Sequence, residues 1–96
     1  MKSLPEIKLI LSHNKNKLFA KYPIKSLAIF GSVARNEQTE ISDLDILVDL
    51  NGKIGIRFID LADEIEAITG LKVDLVSKKG IKDKYLKAIT SELIYV

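Results

Sequence analysis

The chain has 96 residues, enough for one domain with one core and too few for two. Hydrophobic residues make up 47% and charged residues 29%, which excludes a disordered or collagen-like chain, and no run approaches the roughly 20 apolar residues that span a bilayer. With no cysteine and one histidine, His13, disulfides and thiolate metal sites are excluded, and a formal net charge of +2 gives no ground for direct nucleic-acid binding.

Ser3 and Glu6 form a capping-box pattern around Leu4-Pro5, and Leu4, Ile7, Leu11, Leu18 and Tyr22 then recur at helical spacing. Asn14 interrupts the stripe, and Pro23 predicts an end near Lys21. Residues 26–30, Ser-Leu-Ala-Ile-Phe, suit a short buried strand that runs into Gly31-Ser32 and a short helix. Residues 42–50 alternate with period two, placing Leu44, Ile46, Val48 and Leu50 on one face and Asp43, Asp45 and Asp49 on the other. After the turn signal Asn51-Gly52, Phe58, Leu61, Ala62, Ile65 and Ile68 trace a helix that ends at Gly70. Residues 72–76 read as a strand, residues 81–91 as a helix and residues 93–96 as a short last strand. The predicted fold is therefore a single α/β (α+β) domain over residues 1–96, a small mixed sheet with helices packed on it. Met1-Lys2-Ser3-Leu4-Pro5 lacks the apolar core of a secretory leader, so a cytoplasmic setting is expected.

The acidic face carries the chemistry. Carboxylates at i and i+2 on a strand point the same way, with Cα atoms about 6.6 to 6.8 Å apart, so the oxygens of Asp43 and Asp45 can converge on a cation. Their repulsion destabilises an apo protein, and a hard cation such as Mg²⁺ or Mn²⁺ relieves it. Asp74 sits in the middle of its strand, where a buried charge needs a partner or a metal. If that strand lies beside the Asp45 strand, all three carboxylates meet, and two metal ions can clamp an in-line phosphoryl displacement. Gly31-Ser32, between strand and helix, suits the approach of backbone amides to a phosphate. Arg35 lies on the side of Ser32, where its forked donors can meet a triphosphate. The plainer reading of Arg35 is an ion pair with Glu37 or Glu40.

Gly31-Ser32, ten residues, then Asp43-Leu44-Asp45 resembles the G-S-x10-D-x-D signature of the DNA polymerase β nucleotidyltransferase superfamily. A chance match to these four positions in so short a chain is on the order of one in a thousand, which favours the functional reading. The stretch Gly31-Ser32-Val33-Ala34-Arg35-Asn36-Glu37 through Ser42-Asp43-Leu44-Asp45-Ile46-Leu47-Val48, with Lys72-Val73-Asp74-Leu75-Val76, is similar to the minimal nucleotidyltransferases, the MNT-domain proteins. The resemblance implies that Asp43 and Asp45 bind two Mg²⁺ ions. It implies that Asp74 binds the catalytic ion and helps deprotonate the acceptor hydroxyl, and that Gly31 and Ser32 hold the outer phosphates of ATP. Asn36 stands where members usually carry glycine, a mild departure because asparagine tolerates left-handed backbone.

Many such proteins are antitoxins paired with HEPN-domain ribonuclease toxins. The resemblance therefore implies transfer of AMP from ATP to a toxin tyrosine within a hetero-oligomer. The competing functions are an antitoxin that acts by binding alone and a nucleotidyltransferase with a small-molecule acceptor. Asp49 and the polar run His13-Asn14-Lys15-Asn16-Lys17 are expected to be solvated surface, and Tyr85 and Tyr95, set among apolar residues, to be core.

Overall fold

The capping box forms as its spacing requires: the Glu6 N–H donates to Ser3 Oγ at 3.3 Å and the Ser3 N–H donates to Glu6 Oε1 at 3.2 Å. In the computed structural model, which describes residues 2–96, this cap starts α1 (Leu4–Lys21). Ile7, Leu11 and Leu18 are its buried residues. Asn14 stays within the helix by donating its side-chain amide to the Ile10 carbonyl at 2.8 Å. Tyr22 turns to extended backbone ahead of Pro23, so the helix stops where the proline predicts.

The remaining elements are β1 (Ile24–Phe30), α2 (Gly31–Ala34), β2 (Leu44–Leu50), α3 (Arg57–Thr69), β3 (Val73–Ser77), α4 (Asp83–Thr90) and β4 (Ile94–Tyr95). β1 begins two residues earlier than its apolar run suggests, because Ile24 is buried and pairs with Leu50. β2 begins at Leu44, so Asp43 stands just ahead of the strand and not within it. Gly70 ends α3 in the left-handed region, φ 70°, as expected of a glycine cap.

The four strands form one mixed sheet in the order β3-β2-β1-β4. β1 runs antiparallel to β2 and to β4, while β2 and β3 are parallel and joined through α3. Parallel neighbours require such a crossover. Leu44, Ile46, Val48 and Leu50 of β2 join Leu27 and Ile29 of β1, Ile7, Leu11 and Leu18 of α1, and Leu61 and Ile65 of α3 in one buried cluster. Leu47 lies on the other face with Asp45 and Asp49, yet it too is buried, opposite Ala28 of β1 and Val76 of β3.

Tyr85 and Tyr95 correct the sequence reading: they are 60% and 54% exposed. α4 has no buried residue, and β4 is a two-residue edge strand, so apolar neighbours in sequence do not enclose either ring. Among the described residues, no helix is long and apolar enough to cross a membrane.

Candidate active site

Gly31 is where β1 passes into α2, and its backbone carries φ +74°, a region that favours glycine. A second constraint is steric. A Cβ at Gly31 would overlap Asp45 Oδ2 and lie 2.9 Å from Asp45 Cγ, so the missing side chain is the space that the carboxylate fills. This proximity follows from the register, in which Phe30 pairs with Asp45.

After α2 the chain closes a tight turn. The Arg35 N–H donates to the Gly31 carbonyl at 3.1 Å, and the Glu37 N–H donates to the Ser32 carbonyl at 2.8 Å. Between them Asn36 takes φ 58°, the one positive φ outside glycine among the described residues. Its tolerance of left-handed backbone is thus used.

Asp45 is half-buried on β2, and the parallel register sets it directly beside Asp74 on β3. Burial and the neighbouring charges of Asp74 and Asp43 push the Asp45 carboxyl up to about 6, with Arg35 acting in the opposite direction. Asp74 departs from expectation in one respect: it is exposed, because β3 is an edge strand and this position faces outward. The argument from a buried charge therefore does not apply to it, although the adjacency to Asp45 does. Asp43 is exposed in the segment before β2. Asp49, expected at the surface, is partly covered and lies with Oδ2 4.0 Å from Lys78 Nζ.

Arg35 makes the ion pair with Glu37, Nε to Oε1 at 2.8 Å. It makes a second that the sequence did not suggest: Nη1 donates to Glu92 Oε2 at 2.7 Å. The other Glu92 oxygen accepts the Gly31 N–H at 3.2 Å. These two carboxylates hold the guanidinium well above its ordinary value. Glu92 joins the site from between α4 and β4, and no spacing or motif in the sequence marks it.

Among the described residues, no three carboxylates are drawn together tightly enough to enclose a cation unaided. The donor set nevertheless fits a hard divalent ion: Asp45 is destabilised as an anion by Asp74 and Asp43, and a cation removes that conflict. An open set of this kind suits Mg²⁺, which keeps waters that phosphate oxygens replace.

A mixed four-stranded sheet backed by helices, with a Gly-Ser turn against one of three aspartates, is the architecture of a nucleotidyltransferase. Residues 11–96 match the family described as nucleotidyltransferase domain. A Methanocaldococcus jannaschii protein provisionally named a protein adenylyltransferase is 51% identical over 98 residues, covering 100% of each chain. The protein adenylyltransferase MntA of Thermococcus cleftensis is 39% identical over 97 residues, covering 100% of this chain and 98% of its own. A solved structure provisionally described as a minimal nucleotidyltransferase superposes with TM-score 0.75 at 30% identity, over 97% of this chain and 95% of that one. A chain from a structure of a tri-AMPylated Shewanella oneidensis HEPN toxin in complex with MNT antitoxin shares the fold, with TM-score 0.67 at 18% identity over 93% of this chain and 70% of that one. The chain belongs to the nucleotidyltransferase domain family, among its minimal members.

Proposed function

We propose that this chain transfers AMP from ATP to a tyrosine hydroxyl of a HEPN ribonuclease toxin and thereby neutralises it. The observation that carries the reading is the placement of Asp45 and Asp74 side by side on parallel strands, with the Gly31 backbone against Asp45. Full-length relatives named as protein adenylyltransferases support the reaction. The shared fold with a chain of a toxin and MNT antitoxin complex supports the partner. The reading treats residues 1–96 as one minimal domain acting in the cytoplasm, where ATP and the RNA cut by such a toxin are found.

Asp43, Asp45 and Asp74 would hold two Mg²⁺ ions, or Mn²⁺, which supply Lewis-acid polarisation of the phosphates when bound. Gly31, Ser32 and Arg35 meet the outer phosphates of ATP through a backbone N–H, a hydroxyl and a guanidinium. Asp74 is exposed beside Asp45, within reach of an incoming hydroxyl, and accepts its proton. The tyrosine oxygen then forms a bond to the α-phosphorus as the bond to the bridging oxygen breaks. The products are a phosphodiester-linked AMP on the tyrosine and free pyrophosphate. An outward-facing Asp74 suits an acceptor carried on another protein's surface.

The test is incubation with a candidate HEPN-domain toxin, Mg²⁺ and ATP labelled at the α-phosphate. Label is expected on a toxin tyrosine, and transfer undiminished in Asp43→Asn, Asp45→Asn would overturn the assignment. If that double variant still silenced the toxin, neutralisation would proceed by binding alone.

A further inference from the structure

The Gly31 amide and the Arg35 guanidinium, given to the nucleotide's phosphates above, are already engaged within the chain. Glu92 takes both, Oε1 from the Gly31 N–H at 3.2 Å and Oε2 from Arg35 Nη1 at 2.7 Å. Its side chain is only 18% exposed, and Gly31 is buried, so the contact satisfies a backbone donor that water does not readily reach. Two carboxylate oxygens spanning an amide and a guanidinium present the same acceptor chemistry as two oxygens of a phosphate.

One amide proton cannot serve two anions, and a carboxylate left beside a triphosphate repels it. We infer that Glu92 is an internal stand-in for a substrate phosphate: it occupies the Gly31 amide and Arg35 while the nucleotide is absent and swings out when the triphosphate arrives. The inference rests on the reading of Gly31 and Arg35 as nucleotide contacts.

The surroundings of Glu92 permit the movement. Upstream, α4 has no buried residue. Downstream, β4 pairs with β1 only at Ala28 and Ile29, followed by one bond from the Val96 N–H to the Leu27 carbonyl. Ile94 and Val96 pack against the core yet stay partly exposed, so this edge segment opens more easily than the buried core strands. Departure of Glu92 therefore loosens the C-terminal edge of the sheet, and nucleotide occupancy is transmitted to β4 and the exposed Tyr95 ring.

The test measures binding of the non-hydrolysable probe AMP-PNP with Mg²⁺ by calorimetry, for the unaltered chain and for Glu92→Gln. Loss of the competing charge is expected to tighten binding about three- to tenfold. Hydrogen exchange on the unaltered chain supplies a second reading that needs no variant: amides of residues 92–96 exchange faster when AMP-PNP saturates the site. Equal or weaker binding by Glu92→Gln, or unchanged or slower exchange at 92–96, would overturn the inference and make Glu92 a fixed bracket for Arg35. Absence of binding by both proteins would overturn the nucleotide assignment of Gly31 and Arg35 along with it.

Discussion

Asp45 and Asp74 stand at matched positions on adjacent parallel strands, and one of the pair, Asp45, is half-buried while the other is exposed. The two carboxylates thus have different tasks available to them. Asp45, with the Gly31 backbone against it, is suited to fixed coordination, and Asp74 to contact with a substrate that arrives from outside.

Replacing Asp74 by Asn removes the proposed proton acceptor while leaving Gly31, Ser32 and Arg35 in place. The turnover rate for AMP transfer is expected to fall about 10²- to 10⁴-fold, with a smaller change in the KM for ATP. Steady-state kinetics on the toxin substrate separate the two parameters.

The Asp45 carboxyl titrates near 6 in the folded chain and at its ordinary 3.8 when unfolded. Between these values the native state holds a proton that the unfolded state has released, so stability without metal falls as pH rises through the window. Asp45→Asn removes that cost. In chelator, the variant is expected to be more stable at pH 7.5 by on the order of 1 kcal/mol, discounted for partial exposure, with the advantage vanishing below about pH 4. Thermal unfolding across this range measures it.

A pH dependence of ion binding follows from the same group. Protons compete with a divalent ion for Asp45 below about pH 6, so Mg²⁺ affinity is expected to decline on the acid side. Calorimetric titration in two buffers of different ionisation enthalpy would detect the proton released on binding.

Gly31→Ala adds a methyl group into the space of the Asp45 carboxylate at a residue with φ +74°. Both nucleotide transfer and stability are expected to drop, the latter by about 1–3 kcal/mol. A matching loss of Mg²⁺ affinity, read by titration, distinguishes displacement of Asp45 from simple unfolding.

Leu61→Ala removes a fully buried side chain from α3, the helix that carries the chain from β2 to β3. A loss of about 2–5 kcal/mol in urea unfolding is expected. The site residues are untouched, so activity per folded molecule is retained.

Much of this arrangement is local enough to be legible in the sequence. The alternation from Leu44 to Leu50 is a property of one strand, and Gly31-Ser32 with Asp43-Leu44-Asp45 at fixed spacing is a pattern of the sequence itself, although Asp43 falls just ahead of the strand and not within it. For Asp74 the strand was legible, while its adjacency to the Asp45 strand stood only as a condition and its exposure was not legible, since strand order and edge position are properties of the whole sheet. Glu92 was not legible: it reaches Gly31 across 61 residues and Arg35 across 57, and a lone glutamate before a short strand carries no periodic signal. Tyr85 and Tyr95 were misread because apolar neighbours along the chain do not guarantee covering neighbours in space.

The crossover through α3 has a thermodynamic consequence. Asp45 and Asp74 become neighbours only once that helix has brought β3 alongside β2, so an unfolded chain holds their carboxylates apart. The proposed cation affinity would then belong to the native state alone, and saturating ion would stabilise the fold by mass action, about 2.7 kcal/mol at a hundred times Kd. On the proposed reading, folding and ion binding would be one linked equilibrium, in which a core mutation remote from the aspartates weakens apparent binding as the folded fraction falls.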